Sequence, residues 1–241
     1  MITGGARVGR AVARALAARG ARVALAYRSS QRAARETARA IDGAGGAAAL
    51  FRADLRRPRD AERLIAAVVR RWGRLDVLIN MASTYEKAPA RAVRTAREAD
   101  RVLERALAVD FKAAHRLAAV ATPWLARGGG RIVNISDWVA ASGRPRYKGY
   151  AAYYPAKAAV KALTEALALE LAPRVLVNAV APGPILPPSD LAPAAQREVV
   201  ANTPLGRWGG AEEIAKAVLF FIDSEFVTGE TLRVDGGRHL Y

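Results

Sequence analysis

The stretch Tyr150-Ala-Ala-Tyr-Tyr-Pro-Ala-Lys157 opens an apolar-periodic helix and lies between two β-branched runs. The run before it is Arg131-Ile-Val-Asn-Ile-Ser136-Asp137, and the run after it is Val175-Leu-Val-Asn-Ala-Val180-Ala-Pro182-Gly183. The first run ends in polar side chains and the second in a chain reversal, as expected of buried parallel strands that open onto a ligand crevice. This order of elements predicts a parallel sheet with a site at its carboxyl edge.

Short β-rich runs alternate with longer helical patterns along the whole chain. The predicted strands are Arg22 to Tyr27, Ala47 to Phe51, Asp76 to Asn80, Arg131 to Ile135, Val175 to Val180 and Thr231 to Val234. Such alternation predicts an α/β fold, a doubly wound parallel sheet flanked by helices on both faces. Because its 241 residues contain no linker and no internal repeat, the chain is predicted to form a single domain over residues 1–241.

Composition excludes several classes of function. The chain has no cysteine and only two histidines, His115 and His239, so no metal site is predicted. It contains neither an apolar run of membrane-spanning length nor a charged-then-apolar leader. We therefore expect no membrane association and a cytoplasmic location.

The formal net charge of +16 raises nucleic acid as a partner. The arginines, however, are spread over every predicted helix. Their densest cluster, residues 56–74, reads as one amphipathic helix with Leu64, Ile65 and Val68 opposite the arginines. This pattern is typical of a solvated helix face, so no nucleic-acid partner is predicted.

Tyr153 and Lys157 are four residues apart and therefore share one face of the predicted helix. A phenol titrates near pH ~10 when unperturbed, and a neighbouring ammonium group stabilises its anion. The pair is therefore a candidate for proton transfer at a reacting centre.

Further motifs from Thr3 to Gly237 occur in the order of one known family. They are Thr3-Gly-Gly-Ala-Arg-Val-Gly9, Asp54-Leu55, Asn80-Met-Ala-Ser83, the Ser136-Asp137 strand end, Tyr153-x-x-x-Lys157, Pro182-Gly183 and Thr228-Gly-Glu-Thr-Leu-Arg-Val-Asp-Gly-Gly237. In these residues the chain resembles the short-chain dehydrogenases/reductases, nicotinamide-dependent oxidoreductases with a Rossmann-type fold. The resemblance also implies a homotetramer or a dimer, assembled through the predicted helices 97–127 and 151–171 and the C-terminal strand region.

The end of the second predicted strand indicates which nicotinamide cofactor is used. It reads Tyr27-Arg28-Ser29-Ser30 and lacks the acidic residue that would hold a ribose 2′-hydroxyl. A guanidinium and hydroxyl groups suit a 2′-phosphate, and Arg7 adds to the same positive patch. The predicted cofactor is therefore NADP(H).

The glycine-rich turn Thr3 to Gly9 precedes a helix, whose N-terminal N–H groups suit a pyrophosphate. By resemblance, Asp54 and Leu55 border the adenine, Asn80 and Ala82 line the adenosine side, and the Pro182-Gly183 turn with Ile185 holds the nicotinamide. The predicted cofactor-binding residues are Thr3, Gly4, Gly5, Arg7, Val8, Gly9, Arg28, Ser29, Asp54, Leu55, Asn80, Ala82, Lys157, Pro182, Gly183 and Ile185.

The resemblance implies hydride transfer to a C=O or C=N carbon while Tyr153 protonates the partner atom. Lys157 would stabilise the tyrosinate and bind the nicotinamide ribose. Ser136 and Asp137 both remain candidates for the third catalytic position, which the family pattern places at Asp137. An aspartate there is similar to pteridine reductases, so an NADPH-dependent dihydropterin reductase is the leading prediction. A reductase of 3-oxoacyl thioesters or other carbonyl compounds, and a non-catalytic cofactor-binding domain, are the alternatives.

The chain departs from the family pattern in several places. Only Met1 and Ile2 precede Thr3, so the first strand is predicted to be incomplete. An incomplete first strand would expose backbone edges and apolar surface on the two neighbouring strands. The short amino terminus also suggests that the chain is truncated. Asp110 and Met81 stand where asparagines are expected. About three extra residues lie around residues 141–143.

Overall fold

A computed structural model describes every residue from Met1 to Tyr241, and its centre is one parallel sheet with the strand order β3-β2-β1-β4-β5-β6-β7. The strands are β1 (Ile2–Thr3), β2 (Arg22–Tyr27), β3 (Ala47–Arg52), β4 (Val77–Asn80), β5 (Gly130–Ile135), β6 (Val175–Pro182) and β7 (Thr231–Val234). The strand order proceeds outward in both directions from β1 and β4. The predicted doubly wound, Rossmann-type sheet is therefore confirmed.

Helices cover both faces of this sheet. They are α1 (Val8–Ala17), α2 (Gln31–Asp42), α3 (Pro58–Trp72), α4 (Ala96–Ala106), α5 (Lys112–Leu125), α6 (Trp138–Ser142), α7 (Tyr153–Leu171), α8 (Pro193–Ala201) and α9 (Ala211–Asp223). The helix predicted over residues 97–127 is in fact divided, because a π-helical turn, Leu107–Phe111, separates α4 from α5. None of the helices has the length and apolar character needed to cross a lipid bilayer.

Neighbouring residues of the central strands point to opposite faces and build two separate cores. Leu78 and Ile132 lie in the core beneath α3 and α5, whereas Ile79 and Val133 lie in the core beneath α1 and α9. All four side chains are at most 1% exposed. Burial on both faces explains why the strands read as continuous apolar runs.

The first strand is short, yet it lies at the centre of the sheet. It pairs with Leu25 and Ala26 of β2 and with Ile79 and Asn80 of β4. The predicted exposure of apolar surface on the neighbouring strand is wrong, because Val23 and Ala24 of β2 are 2% and 1% exposed. Helices packed on the two faces bury these side chains, and Met1 and Ile2 themselves belong to the two cores.

Candidate active site

Residues of the predicted motifs lie at the ends of four adjacent strands, at the carboxyl edge of the sheet. Thr3 ends β1, Asn80 ends β4, Asp137 follows β5 and Gly183 follows β6. In doubly wound sheets this edge, where the strand order reverses, forms the ligand crevice. The motifs recognised in the sequence therefore converge on one place.

Tyr153 is the first residue of α7 and is only 5% exposed. Its hydroxyl donates a hydrogen bond to Asp137 Oδ2 at 3.2 Å. The other oxygen of this carboxylate, Oδ1, caps α6 by accepting from the Val139 N–H at 2.8 Å. The cap and the contact with the tyrosine are thus made by different oxygens of one group.

Ser136 has a different partner. Its hydroxyl is buried and donates to the backbone carbonyl of Lys157 at 2.9 Å. Of the two candidates for the third catalytic position, the structure brings Asp137 to Tyr153, while Ser136 ties the end of β5 to α7.

Lys157 forms a fully buried ion pair that was not predicted. Its Nζ lies 3.1 Å from Asp110 Oδ1 and donates to the Ile135 carbonyl at 2.9 Å. The side chains of Lys157 and Asp110 are 2% and 0% exposed. Asp110 Oδ2 accepts from the Thr84 hydroxyl at 2.7 Å and from its N–H at 3.2 Å. The Asp110 carboxylate is therefore held by Lys157 at one oxygen and by Thr84 at the other.

Asp110 belongs to the π-helical turn between α4 and α5, and such turns are frequent at functional sites. In the sequence, Asp110 stands out only as a departure from the family pattern. A lone acidic residue in the apolar stretch Leu107-Ala-Val-Asp-Phe111 is a usable signal for a buried, paired carboxylate. No comparable signal marks Thr84.

The environment of Tyr153 holds its hydroxyl in the protonated form. Burial raises the pKa of the Tyr153 phenol well above its ordinary value, and the negative charges of Asp137 and Asp110 raise it further. The expected stabilisation of the tyrosinate by Lys157 is not what this structure shows. The Lys157 Nζ lies 5.7 Å from the centre of the Tyr153 ring, but its charge is paired with Asp110.

Burial also raises the pKa of Asp137, against the opposing effects of its hydrogen bond from Val139 and of the Lys157 charge. This carboxyl group therefore takes up a proton at a higher pH than an exposed aspartate does. When protonated it can donate a hydrogen bond, and when ionised it can only accept one.

Three further tyrosines surround Tyr153. The Tyr85 ring stacks on Tyr150, with 5.0 Å between centroids, and meets Tyr153 edge-on at 5.1 Å. Tyr154 lies 5.6 Å from Tyr153. Tyr85 has φ +43°, a left-handed conformation that is costly for a non-glycine residue and that occurs often at functional sites. It was not predicted, because backbone strain leaves no signal in a single sequence.

The glycine-rich turn before α1 has the shape expected of a phosphate cradle. Gly4 has φ +95°, and a Cβ at Gly9 would lie 1.8 Å from the Gly4 carbonyl oxygen, so both positions require glycine. No side chain caps the N-terminus of α1, and the N-terminus of a helix is a favourable place for an anion. Arg7, at φ +47°, extends its guanidinium to the Pro187 carbonyl at 3.1 Å.

Several residues predicted to bind the cofactor hold the scaffold of this turn. The Thr3 hydroxyl accepts from the N–H groups of Met81 and Ala82, at 2.9 and 3.1 Å, and so ties β1 to the end of β4. Leu55 and Ile185 are 9% and 6% exposed and belong to the two cores.

A buried chain of amides connects β4, β5 and α7. Asn80 Nδ2 donates to Asn134 Oδ1, and Asn134 Nδ2 donates to the Thr164 hydroxyl, both at 2.9 Å. This chain holds α7, with Tyr153 and Lys157, in place against the strands. Asn134 and Thr164 were missed, although an asparagine inside the run Arg131 to Ile135 was a visible signal.

On the nucleotide side, Arg28 and Ser29 follow β2 with exposed side chains, and Arg28 has no ion-pair partner. Asp54 is held by Arg56 at 2.5 Å. The hydrogen bond from Arg56 is the main cause that lowers the pKa of Asp54 to about 2, and the Arg28 charge contributes. Arg28 is thus near Asp54 and free to bind an anion.

The Pro182-Gly183 turn packs closely against the C-terminal segment. A Cβ at Gly183 would lie 2.4 Å from the Asp235 Cβ, so glycine is required there. The Gly183 N–H donates to the Val234 carbonyl at 2.9 Å. The turn is therefore held rigidly at the end of β6, beside the crevice.

Taken together, the fold and the site define a Rossmann-type oxidoreductase with a tyrosine-lysine pair. The family model described as enoyl-(acyl carrier protein) reductase matches residues 5–239. The chain belongs to the short-chain dehydrogenase/reductase family, whose members use a nicotinamide cofactor.

Known relatives cover nearly the whole chain. It is 38% identical to an uncharacterized oxidoreductase of Mycobacterium tuberculosis, over 98% of this chain and 90% of that protein. It is 33% identical to a 3-oxoacyl-[acyl-carrier-protein] reductase FabG of Staphylococcus aureus, over 100% of this chain and 97% of that protein. The solved structure of FolM alternative dihydrofolate reductase 1 from Brucella canis, complexed with NADP, is 32% identical in sequence and has a TM-score of 0.87. The match covers 100% of this chain and 93% of that chain.

Proposed function

We propose that this protein is an NADP(H)-dependent reductase of a C=O or C=N bond, with dihydropterin-type rings as the leading substrate class. The observation that carries the proposal is the hydrogen bond from Tyr153 to Asp137, a carboxylate at a position where the family pattern has a serine hydroxyl. A carboxylate can accept hydrogen bonds from the amino and ring N–H groups of a pterin. The similarity to the NADP-bound dihydrofolate reductase structure supports the same substrate class.

The residues present fit an NADP(H) cofactor. The cradle at Gly4 and Gly9 and the uncapped N-terminus of α1 suit the pyrophosphate. The exposed guanidinium of Arg28 and the hydroxyl of Ser29 suit a 2′-phosphate by charge-assisted hydrogen bonds. No carboxylate follows β2 to favour the 2′-hydroxyl of NAD(H) instead.

When bound, the reduced nicotinamide supplies the hydride. The Tyr153 hydroxyl then gives its proton to the oxygen or nitrogen that becomes electron-rich, and Asp137 orients that hydroxyl. Asp110 together with Ile135 fixes the position of the Lys157 Nζ, which by family resemblance would bind the nicotinamide ribose. Burial of these groups strengthens each of the electrostatic interactions.

The protonation state of Tyr153 favours the reductive direction. A proton donor must carry its proton when the substrate arrives, and the raised pKa of Tyr153 keeps the phenol protonated through the neutral range. The reverse oxidation needs the phenolate as a base, which this environment disfavours. We therefore propose that the site is suited to reduction near neutral pH.

Reduction of a 3-oxoacyl thioester is the second candidate, supported by the Staphylococcus aureus relative. It shares the cofactor, the proton donor and the direction of reaction with the first candidate. The two differ in what Asp137 contacts, because a thioester offers it no N–H donor. A cofactor-binding domain without turnover is the third candidate, and a measurable rate of reduction would exclude it.

The test begins with the fluorescence of NADPH and NADH titrated with the purified chain. We expect tighter binding of NADPH. NADPH consumption is then followed with dihydrobiopterin, dihydrofolate, acetoacetyl thioesters and aryl ketones. Reduction of the dihydropterins that is lost in Tyr153→Phe supports the leading proposal, and reduction of the thioester alone supports the second. NADPH binding without consumption of any substrate would refute both.

A further inference from the structure

A wide cleft of about 950 Å³ lies beside the catalytic tyrosine, and the mechanism above does not use it. One wall is the segment after β4, with Lys87, Pro89 and Arg91, and the other is the segment 139–151, with part of the outer face of α7. We call this the basic cleft. Its volume falls in the range of about 300–1,000 Å³ that is usual for small-molecule sites.

The charges of the basic cleft are all of one sign. Lys87, Arg91 and Lys148 line it with exposed side chains, and no acidic residue lines it. None of these three cations takes part in an ion pair within the chain. The nearest acidic residue in sequence, Glu86, is paired with Arg105 at 3.1 Å. Three unpaired cations around one concave space attract an anionic group.

The basic cleft adjoins the reacting groups through two shared residues. Tyr150 lines it, and its ring centroid lies 6.0 Å from that of Tyr153. Val139 also lines it, and its N–H donates to Asp137, the acceptor of the Tyr153 hydroxyl. The basic cleft is therefore separated from the proton donor and its hydrogen-bond partner by single residues, Tyr150 and Val139.

The two walls are held together at one point. The Ala88 N–H donates to the Gly149 carbonyl at 2.7 Å. Gly149 has φ +94°, and a Cβ there would lie 3.0 Å from the Lys87 side chain, so the absence of a side chain lets the walls approach. This wall contains the extra residues around 141–143, which the family pattern lacks.

We propose that the basic cleft binds an anionic group, a carboxylate or phosphate, carried by the same small substrate whose C=O or C=N bond is reduced at Tyr153. This inference rests on the proposed function for the location of the reacting carbon. Tyr147, Tyr150 and Tyr154 line the cleft with the three cations, so the matching ligand is a planar ring linked to an acidic tail. Enclosure on two sides favours a small molecule over a docked protein.

The binding test does not require turnover. Calorimetry measures the binding of 4-aminobenzoyl-glutamate and of its uncharged diethyl ester to the full chain. We expect the diacid to bind and the ester to bind at least about tenfold more weakly. The variant Lys87→Gln/Arg91→Gln/Lys148→Gln should lose about tenfold in affinity for the diacid.

The matched control is Arg35→Gln/Arg39→Gln/Arg70→Gln, which removes the same number of charges from exposed positions on α2 and α3. It should change the affinity by less than about twofold. Equal binding of acid and ester, absence of diacid binding, or an equal loss in the control variant would overturn the proposal. Binding of an acidic carrier protein without binding of the diacid would also overturn it.

Activity measurements distinguish a failure of the anion subsite from a failure of the proposed reductase function. With NADPH, 4-acetylbenzoate and its methyl ester are compared as matched ketones, and dihydrofolate and dihydrobiopterin as matched pterins. A loss of kcat/KM in the cleft variant for the acidic member only supports the subsite. Equal losses for both members would overturn the subsite and leave the reductase intact. If no compound is reduced but the diacid still binds, the proposed function fails while the anion site stands.

Discussion

The two sides of the crevice use charge in opposite ways. On the α7 side, Asp110 and Lys157 are at most 2% exposed and their contact is fixed by Thr84 and Ile135. On the nucleotide side, Arg28 is exposed and has no ion-pair partner. Buried charges interact strongly and set the protonation of a neighbour, whereas exposed charges are screened and serve to attract a charged ligand. The site thus separates proton chemistry from phosphate recognition.

The largest effect is expected on the buried side. Replacing Tyr153 with phenylalanine removes the proton donor and should lower kcat/KM by about 10²- to 10⁴-fold. NADPH affinity, measured by nucleotide fluorescence, should be little changed. Tyr241→Phe, at an exposed position, is the control and should keep full activity. A Tyr153→Phe rate close to wild type would remove Tyr153 from the mechanism.

The buried ion pair should matter for stability as well. Asp110→Leu leaves the Lys157 ammonium buried without its partner, and breaking such pairs costs roughly 3–5 kcal/mol of unfolding free energy. Urea unfolding followed by circular dichroism measures this cost. A cost below about 1 kcal/mol would show that the pair is solvated or replaceable, contrary to its burial in this structure.

The exposed side should determine nucleotide choice. Arg28→Ala removes a charged donor to the 2′-phosphate and should weaken NADPH binding by about 1.5–3 kcal/mol, roughly 10- to 100-fold, with little change for NADH. Arg39→Ala, on the exposed face of α2, is the matched control. If Arg28→Ala weakens the binding of NADPH and NADH equally, Arg28 does not bind the 2′-phosphate.

An exposed ion pair should have the smallest effect. Lys112 and Glu104 lie 2.6 Å apart, with side chains 38% and 61% exposed. Glu104→Leu should change the unfolding free energy by less than about 1 kcal/mol, in contrast to Asp110→Leu. Comparable costs for the two variants would remove the distinction between the buried and exposed charges.

Much of the fold was predictable because its signals are local. Burial on both faces makes the central strands continuous apolar runs, and glycine is required at Gly4 by its positive φ and at Gly9 and Gly183 by the close approach of neighbouring atoms. Asp137 was also within reach as a candidate, because the family pattern places the third catalytic position at this strand end.

The remaining features depend on contacts between distant parts of the chain. The pairing of Asp110 with Lys157 joins residues from the π-helical turn and α7, and the position of Tyr85 depends on a strained backbone. The raised pKa of Tyr153 was also unpredictable, because it depends on burial and on two carboxylates placed by tertiary structure. The spacing of Tyr153 and Lys157 in the sequence predicts the opposite effect, a pKa of Tyr153 lowered by the Lys157 charge.

The pH dependence of NADPH-driven reduction tests the central claim most directly, with Asp110→Asn beside the wild type. The titratable groups that face Tyr153 are Asp137, Asp110, Lys157 and the tyrosines Tyr85, Tyr150 and Tyr154. Reduction needs the protonated phenol, which exists below its pKa, so the wild-type rate should hold as the pH rises through about 9. Asp110→Asn removes a negative charge, lowers the pKa of Tyr153 and should move the alkaline fall in rate to lower pH. Superimposable profiles, or a wild-type rate that falls near pH ~7, would contradict the account.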